Sequence, residues 1–202
     1  MKITKFRHAC FVATLNNQSV VVDPGELSPD FVDPGNVIAI VITHLHGDHL
    51  DPTKLRAILE KNPDAVFYAH PEVLEAAGIA GTAVQAGDRV TAGTFTFEFS
   101  GGAHALIHPT VPMCANLGVL INDELYYPGD SFAEPGKPVK TLALPVAAPW
   151  MKTAEGMDYL TKLRPERAFP THDAVLSEAG QSFTDNWMRR AAEQVGTSYE
   201  RL

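Results

Sequence analysis

His44-x-His46-x-Asp48-His49 places three imidazoles and a carboxylate within six residues. Residues two apart in an extended segment project to the same side, so His44 and His46 can grip one ion together. Asp48 and His49 begin the turn into the next element, and that change of direction can aim them at a second ion beside the first. Imidazole and carboxylate donors suit a borderline divalent cation, zinc before manganese or iron. With about 4% His and 6% Asp, chance produces this pattern on the order of 0.001 times in such a chain.

Four donors from one loop do not complete a two-ion site. Three further residues each stand just beyond a strand expected from the sequence: His104 in Ser100-Gly101-Gly102-Ala103-His104, Asp130 in Tyr127-Pro128-Gly129-Asp130, and His172 in Phe169-Pro170-Thr171-His172. The carboxyl ends of strands are where open sheets place their ligands. Glycines beside His104 and Asp130 let the backbone bend around an ion. His108 is near enough to His104 in sequence to line the pocket and donate to an oxyanion, and it rivals His104 as a ligand. His104 is preferred because it comes sooner after the strand. Trp150, in a loop after a strand, is a candidate pocket wall, with a packed aromatic as the plain alternative. His8 reads as a core or rim residue of the first strand pair, and His70 as a strand-end surface residue.

The elements that must position these residues follow from periodicity and punctuation. Stretches near 2–6, 9–15 and 18–22 read as a meander, with Asn16-Asn17 as a turn. The wholly apolar run 37–42 reads as a strand buried on both faces, leading directly into the histidine loop. Asp51-Pro52 reads as an N-cap with proline at the first helical position, opening a helix near 53–61. A strand near 64–69 and a helix near 71–77 follow. Phe95, Phe97 and Phe99 alternate on one face of a half-buried strand. Strands near 117–121 and 124–127 form a hairpin. A strand near 140–144, a helix near 153–163, a strand near 167–170 and a helix near 184–195 close the chain. The order suggests two βα-rich halves packed sheet on sheet, with helices outside.

Composition bounds the function. The 202 residues carry 16 Lys+Arg against 24 Asp+Glu, a formal charge of −8, so nucleic acid is a disfavoured partner. Residues 1–202 read as one domain, because no linker or low-complexity segment divides them. That size exceeds what needs a metal to fold, so an ion here is chemical rather than structural. Cys10 and Cys114 cannot build a disulfide framework or a four-thiolate zinc site. No secretory or membrane segment is visible, and the expected location is cytoplasmic.

The order His44-x-His46-x-Asp48-His49, His104, Asp130, His172, with Asp23 after an early strand, resembles the metallo-β-lactamase-fold hydrolases over nearly the whole chain. Arg7-His8-Ala9-Cys10, Gly102-Ala103-His104-Ala105 and Asn116-Leu117-Gly118 look closest to the small ascorbate-6-phosphate lactonase-like branch. The resemblance implies an α+β fold, an αββα sandwich of two mixed sheets with helices on the outer faces. It implies His44, His46 and His104 on one ion, Asp48, His49 and His172 on the other, and Asp130 between them. Asp23 would be a carboxylate orienting a ligand or the loop. Every imidazole and acidic ligand is retained with no cysteine among them, and the chain has no room for the large inserted domain of nucleic-acid-cleaving relatives.

Two such ions can share a water and lower its pKa toward neutrality, giving a hydroxide nucleophile that Asp48 would orient. The expected function is hydrolysis of a small, anionic or lactone-like ester. The alternatives are a phosphodiesterase on nucleotides or short RNA, and iron-based redox chemistry on the same ligands. A small-molecule substrate is the expected partner, and a homo-oligomer is compatible with the sequence.

Overall fold

Strict alternation buries Phe95, Phe97 and Phe99 on one face of their strand, and nearly every side chain of Val37–Ile42 is covered. The computed structural model, which describes residues 1–202, builds such segments into two mixed sheets. In the first, β1 (Lys2–Lys5), β2 (Phe11–Leu15) and β3 (Gln18–Val22) form an antiparallel meander. Three parallel strands extend it: β4 (Val37–Ile42), β5 (Val66–Ala69) and β6 (Thr82–Ala83). Helices α1 (Pro52–Lys61) and α2 (Pro71–Ala77) make the last two crossovers.

The second sheet repeats the plan. The strands β7 (Arg89–Ala92), β8 (Phe95–Gly101), β9 (Leu117–Ile121) and β10 (Leu125–Tyr127) are antiparallel. Then β11 (Thr141–Pro145), β12 (Arg167–Thr171) and β13 (Ser198–Tyr199) run parallel, joined by α3 (Thr153–Leu163) and α4 (Glu178–Val195).

Three apolar layers follow from this. Between the sheets, Phe11, Val22, Val41, Phe97, Val119 and Tyr127 share one core. The other face of the first sheet packs Ile40 and Phe67 against Leu55 and Ile58 of α1 and Val73 of α2. The other face of the second packs Leu142 and Leu144 against Leu160 of α3 and Met188 of α4. The order is helix, sheet, sheet, helix: the expected αββα sandwich. Phe97 is fully buried in the central layer, so Phe97→Ala should destabilise by about 3–5 kcal/mol through lost transfer energy and the cavity left behind. Urea denaturation measures this directly.

The Asp51 carboxylate caps α1 by accepting from the Thr53 and Lys54 amides, with Pro52 at the first helical position as expected. Some elements differ from expectation. The second strand begins at Phe11 rather than Ala9, because His8 takes a left-handed backbone (φ 62°) that bends the chain just before it. Helix α4 begins at Glu178, six residues before the expected 184: Ser177 Oγ caps it by accepting from Gly180 N–H, and its polar first turns carry no apolar periodicity. The edge strands β6, β7 and β13 escaped the sequence reading; two of them span only two residues, too short for any alternation. No helix is long and apolar enough to cross a membrane.

Candidate metal centre

All the singled-out donors fall at one end of the sandwich. Asp23 follows β3, the 43–49 loop follows β4, His104 lies beyond β8, Asp130 beyond β10 and His172 directly after β12. The two halves are stitched here by backbone bonds. Leu117 N–H donates to the Thr43 carbonyl (2.9 Å) and His172 N–H to the His8 carbonyl (3.1 Å), while within the second half Ala105 N–H donates to the Asp130 carbonyl (2.8 Å).

Within this end the donor atoms form three overlapping groups, each with its atoms within 4.8 Å of one another: His44, His46 and His104; His44, His49 and Asp130; and His8, Asp48, His49 and His172. Asp130 reaches imidazoles of both halves, its Oδ1 lying 3.2 Å from His49 Nε2 and its Oδ2 3.0 Å from His172 Nε2 and 3.5 Å from His104 Nε2. Asp48 Oδ2 lies 3.2 Å from His172 Nε2 and 3.6 Å from His49 Nε2.

Buried polar atoms are normally hydrogen-bonded. Yet Nε2 of His44, His49, His104 and His172 and Oδ1 of Asp130 are buried with no hydrogen-bond partner. Ligands about 2.0–2.1 Å from one zinc stand about 3–3.4 Å from each other, so atoms crowded at this spacing without hydrogen-bond geometry fit a cation at their centre.

The opposite ring nitrogens are each committed to an acceptor. His44 Nδ1 donates to Thr43 Oγ1 (3.0 Å), His49 Nδ1 to Asp23 Oδ2 (2.7 Å), His104 Nδ1 to the Ala105 carbonyl (2.6 Å) and His172 Nδ1 to the Ala147 carbonyl (2.6 Å). Such partners fix the tautomer and leave the Nε2 lone pair free for a metal. Asp23 serves several groups at once, because its carboxylate also accepts from the Thr43 amide (2.8 Å) and hydroxyl (2.7 Å).

Electrostatics favour a cation. Burial and its imidazole neighbours hold His44 well below the usual histidine range. Burial pulls His49 down too, but the Asp130 and Asp23 carboxylates carry it well above. His172 is pushed up to about 9 by Asp130 and Asp48 against its own burial. Asp130 is held well below the ordinary carboxylate range by the imidazoles around it, despite burial.

Close packing of backbone sets the loop's path. A Cβ on Gly25 would come within 2.0 Å of the Asp48 carbonyl oxygen and 2.5 Å of the His49 nitrogen. Gly25→Ala should therefore displace Asp48 and His49, destabilising the fold by about 1–3 kcal/mol and weakening the uptake of a divalent metal. A denaturation curve and a chelator-competition titration read the two effects.

The seven expected donors come together, and Asp23 lies beside them with its Oδ2 2.7 Å from His49 Nδ1. Trp150 is not simply a wall: its indole N–H donates to Asp130 Oδ2 (2.8 Å) and its ring packs edge-on against Phe132. His108 is exposed on its own loop, its Nδ1 2.8 Å from Thr110 Oγ1, and belongs to none of the donor groups. His70 caps α2 by accepting from the Glu72 amide. Two residues that the sequence reading gave no role at the site stand within it. Asn116 Oδ1 accepts from Asp130 N–H (2.9 Å) while its amide donates to the Pro128 carbonyl (2.8 Å), cradling the turn that carries Asp130. His8 is fully buried beside Asp48. Left-handed backbone at His8, Asp23 and His172 (φ 62°, 45° and 60°) marks the site further, since such non-glycine conformations persist where the surroundings over-determine them.

A family profile described as "Beta-lactamase superfamily domain" matches residues 2–172. Protein Rv0786c of Mycobacterium tuberculosis is 37% identical over 207 residues, covering 100% of this chain and 96% of that protein. Among solved structures, a Parabacteroides distasonis protein named provisionally as a metal-dependent hydrolase has a TM-score of 0.79 at 24% identity, covering 98% of this chain and 91% of its own. Igni18, a metallo hydrolase from Ignicoccus hospitalis, has a TM-score of 0.75 at 18% identity, with 99% and 94% coverage.

Proposed function

The chain belongs to the beta-lactamase superfamily, and from that premise we propose that it is a metal-dependent hydrolase of a small ester- or lactone-like substrate. The observation that carries this reading is the set of buried, unpartnered Nε2 atoms converging on Asp130. His44, His46 and His104 would hold one divalent ion, Asp48, His49 and His172 a second, with Asp130 shared between them. Nitrogen and oxygen donors without a thiolate suit zinc. When bound, such a pair supplies Lewis acidity and a water acidic enough to lose its proton near neutral pH.

The chain's own groups do the rest. Asp48, the least buried of the site carboxylates at 27% exposure, can accept a hydrogen bond from an attacking water and orient it. The Trp150 indole N–H holds Asp130 in place. Beside His46 a cleft runs between Leu45, Val111, Pro112 and Met113, with Glu72 and Glu75 on its wall. An apolar, uncharged acyl or lactone body fits that lining better than a phosphodiester, whose charge would meet two carboxylates. Two free cysteines, with Cys10 pushed up to about 12 by burial, suit a reducing compartment such as the cytoplasm.

The test is a hydrolase panel of neutral and anionic lactones, thioesters, β-lactams and phosphodiesters, run on native protein and on Asp48→Ala. Hydrolysis of a neutral carbonyl substrate that EDTA abolishes and Asp48→Ala loses is the expected result. Equal metal and equal activity in the two proteins would overturn the catalytic reading.

A further inference from the structure

We propose that His8 is a positioning residue whose Nε2–H holds the Asp48 carboxylate in the orientation in which it meets His49 and His172. The inference rests on the two-ion reading above and goes beyond it by giving a role to a histidine outside the ligand set.

Distance alone would admit His8 as a ligand, because its ring groups with Asp48, His49 and His172. The hydrogen bonds separate it from the others. At His44, His49, His104 and His172, Nδ1 faces an acceptor, so the proton of the neutral ring sits on Nδ1 and Nε2 is the nitrogen left to meet a cation. At His8 the pattern is reversed. The backbone N–H of Ala174 donates to His8 Nδ1 (3.3 Å), so Nδ1 is the acceptor and the proton of the neutral ring sits on Nε2. That nitrogen lies 2.9 Å from Asp48 Oδ2. A protonated nitrogen donates to a carboxylate and has no lone pair for a cation.

The surroundings hold this ring firmly. His8 is 0% exposed, and its ring stacks at a tilt against His172, centroids 4.1 Å apart. Its carbonyl accepts from His172 N–H (3.1 Å) and from the Lys5 ammonium (2.5 Å), which is itself only 5% exposed. Those bonds hold the left-handed turn that aims the ring at Asp48. Asp48, by contrast, lies on a loop and is partly open to solvent. Without His8 its carboxylate would be free to rotate away from His49 and His172.

The test compares wild type, His8→Ala and His8→Gln by zinc titration against a chromophoric chelator. The Gln amide keeps an N–H donor near the Nε2 position, whereas Ala removes it. Loss of an outer partner to a metal ligand costs 10–100-fold in affinity. His8→Ala should therefore weaken one of the two ions by about that factor and leave the other unchanged, and His8→Gln should restore most of the loss. Nitrogen-15 shifts of the wild-type ring give a readout independent of any variant: a protonated Nε2 and a bare Nδ1 are expected. A bare Nε2, or His8→Gln as poor as His8→Ala, would make His8 a ligand and overturn the proposal. Two ions bound with unchanged affinity in His8→Ala would overturn it while leaving the two-ion reading intact. A wild type that takes up no ion would overturn both.

Discussion

If the proposed two-ion centre holds, Asp130→Asn should lower bound metal from two ions per chain to one or none and reduce kcat/KM by more than about 100-fold. The side chain keeps its shape, so the fold should persist. What changes is the charge and the chemistry of one atom. Asp130 offers oxygens to His49, His104 and His172 and accepts the Trp150 indole N–H. An amide in its place turns one acceptor into a donor and removes the negative charge that faces three imidazoles. Outer-shell changes alone cost 10–100-fold in affinity or activity, and a carboxylate that faces imidazoles of both proposed ion sites should cost more. Metal analysis and steady-state kinetics check the two halves of this result, with a thermal melt as the control for folding.

Chelation should cost the fold a large part of its stability. Five of the seven donors, His44, His49, His104, His172 and Asp130, are buried with an unpartnered atom, so an ion that binds them adds stability the unfolded chain does not receive. At a free metal concentration 1,000 times Kd, one ion contributes about 4 kcal/mol. For a domain of roughly this size each kcal/mol is worth about 2–4 °C, so EDTA should lower Tm by at least about 8–16 °C, and excess zinc should restore it. A melt insensitive to chelator would leave the orphaned donors without an explanation.

The parts of the site legible in the sequence were those whose cause is local. His44-x-His46-x-Asp48-His49 lies in one loop, and its spacing alone describes a two-sided donor set. His104, Asp130 and His172 could be placed because each ends a strand whose apolar pattern is visible. His8 could not, because its part depends on a left-handed turn and on Ala174, 166 residues away. The same holds for Trp150, whose bond to Asp130 joins two loops with no shared pattern. Asn116 was legible as part of the Asn116-Leu117-Gly118 resemblance but not in its role, since its two bonds cross a turn that exists only in the folded chain. In the fold, the strong strands and capped helices were readable, whereas β6 and β13 exist because a parallel neighbour offers them partners.

The most direct test of the central claim is an anomalous-scattering map from crystals grown with zinc, supported by an absorption-edge scan that identifies the metal. Two peaks roughly 3.5–4 Å apart are predicted, one against His44, His46 and His104, the other against Asp48, His49 and His172, with Asp130 between them. No peak at this end of the sandwich, or a single one that leaves Asp48, His49 and His172 bare, would contradict the account.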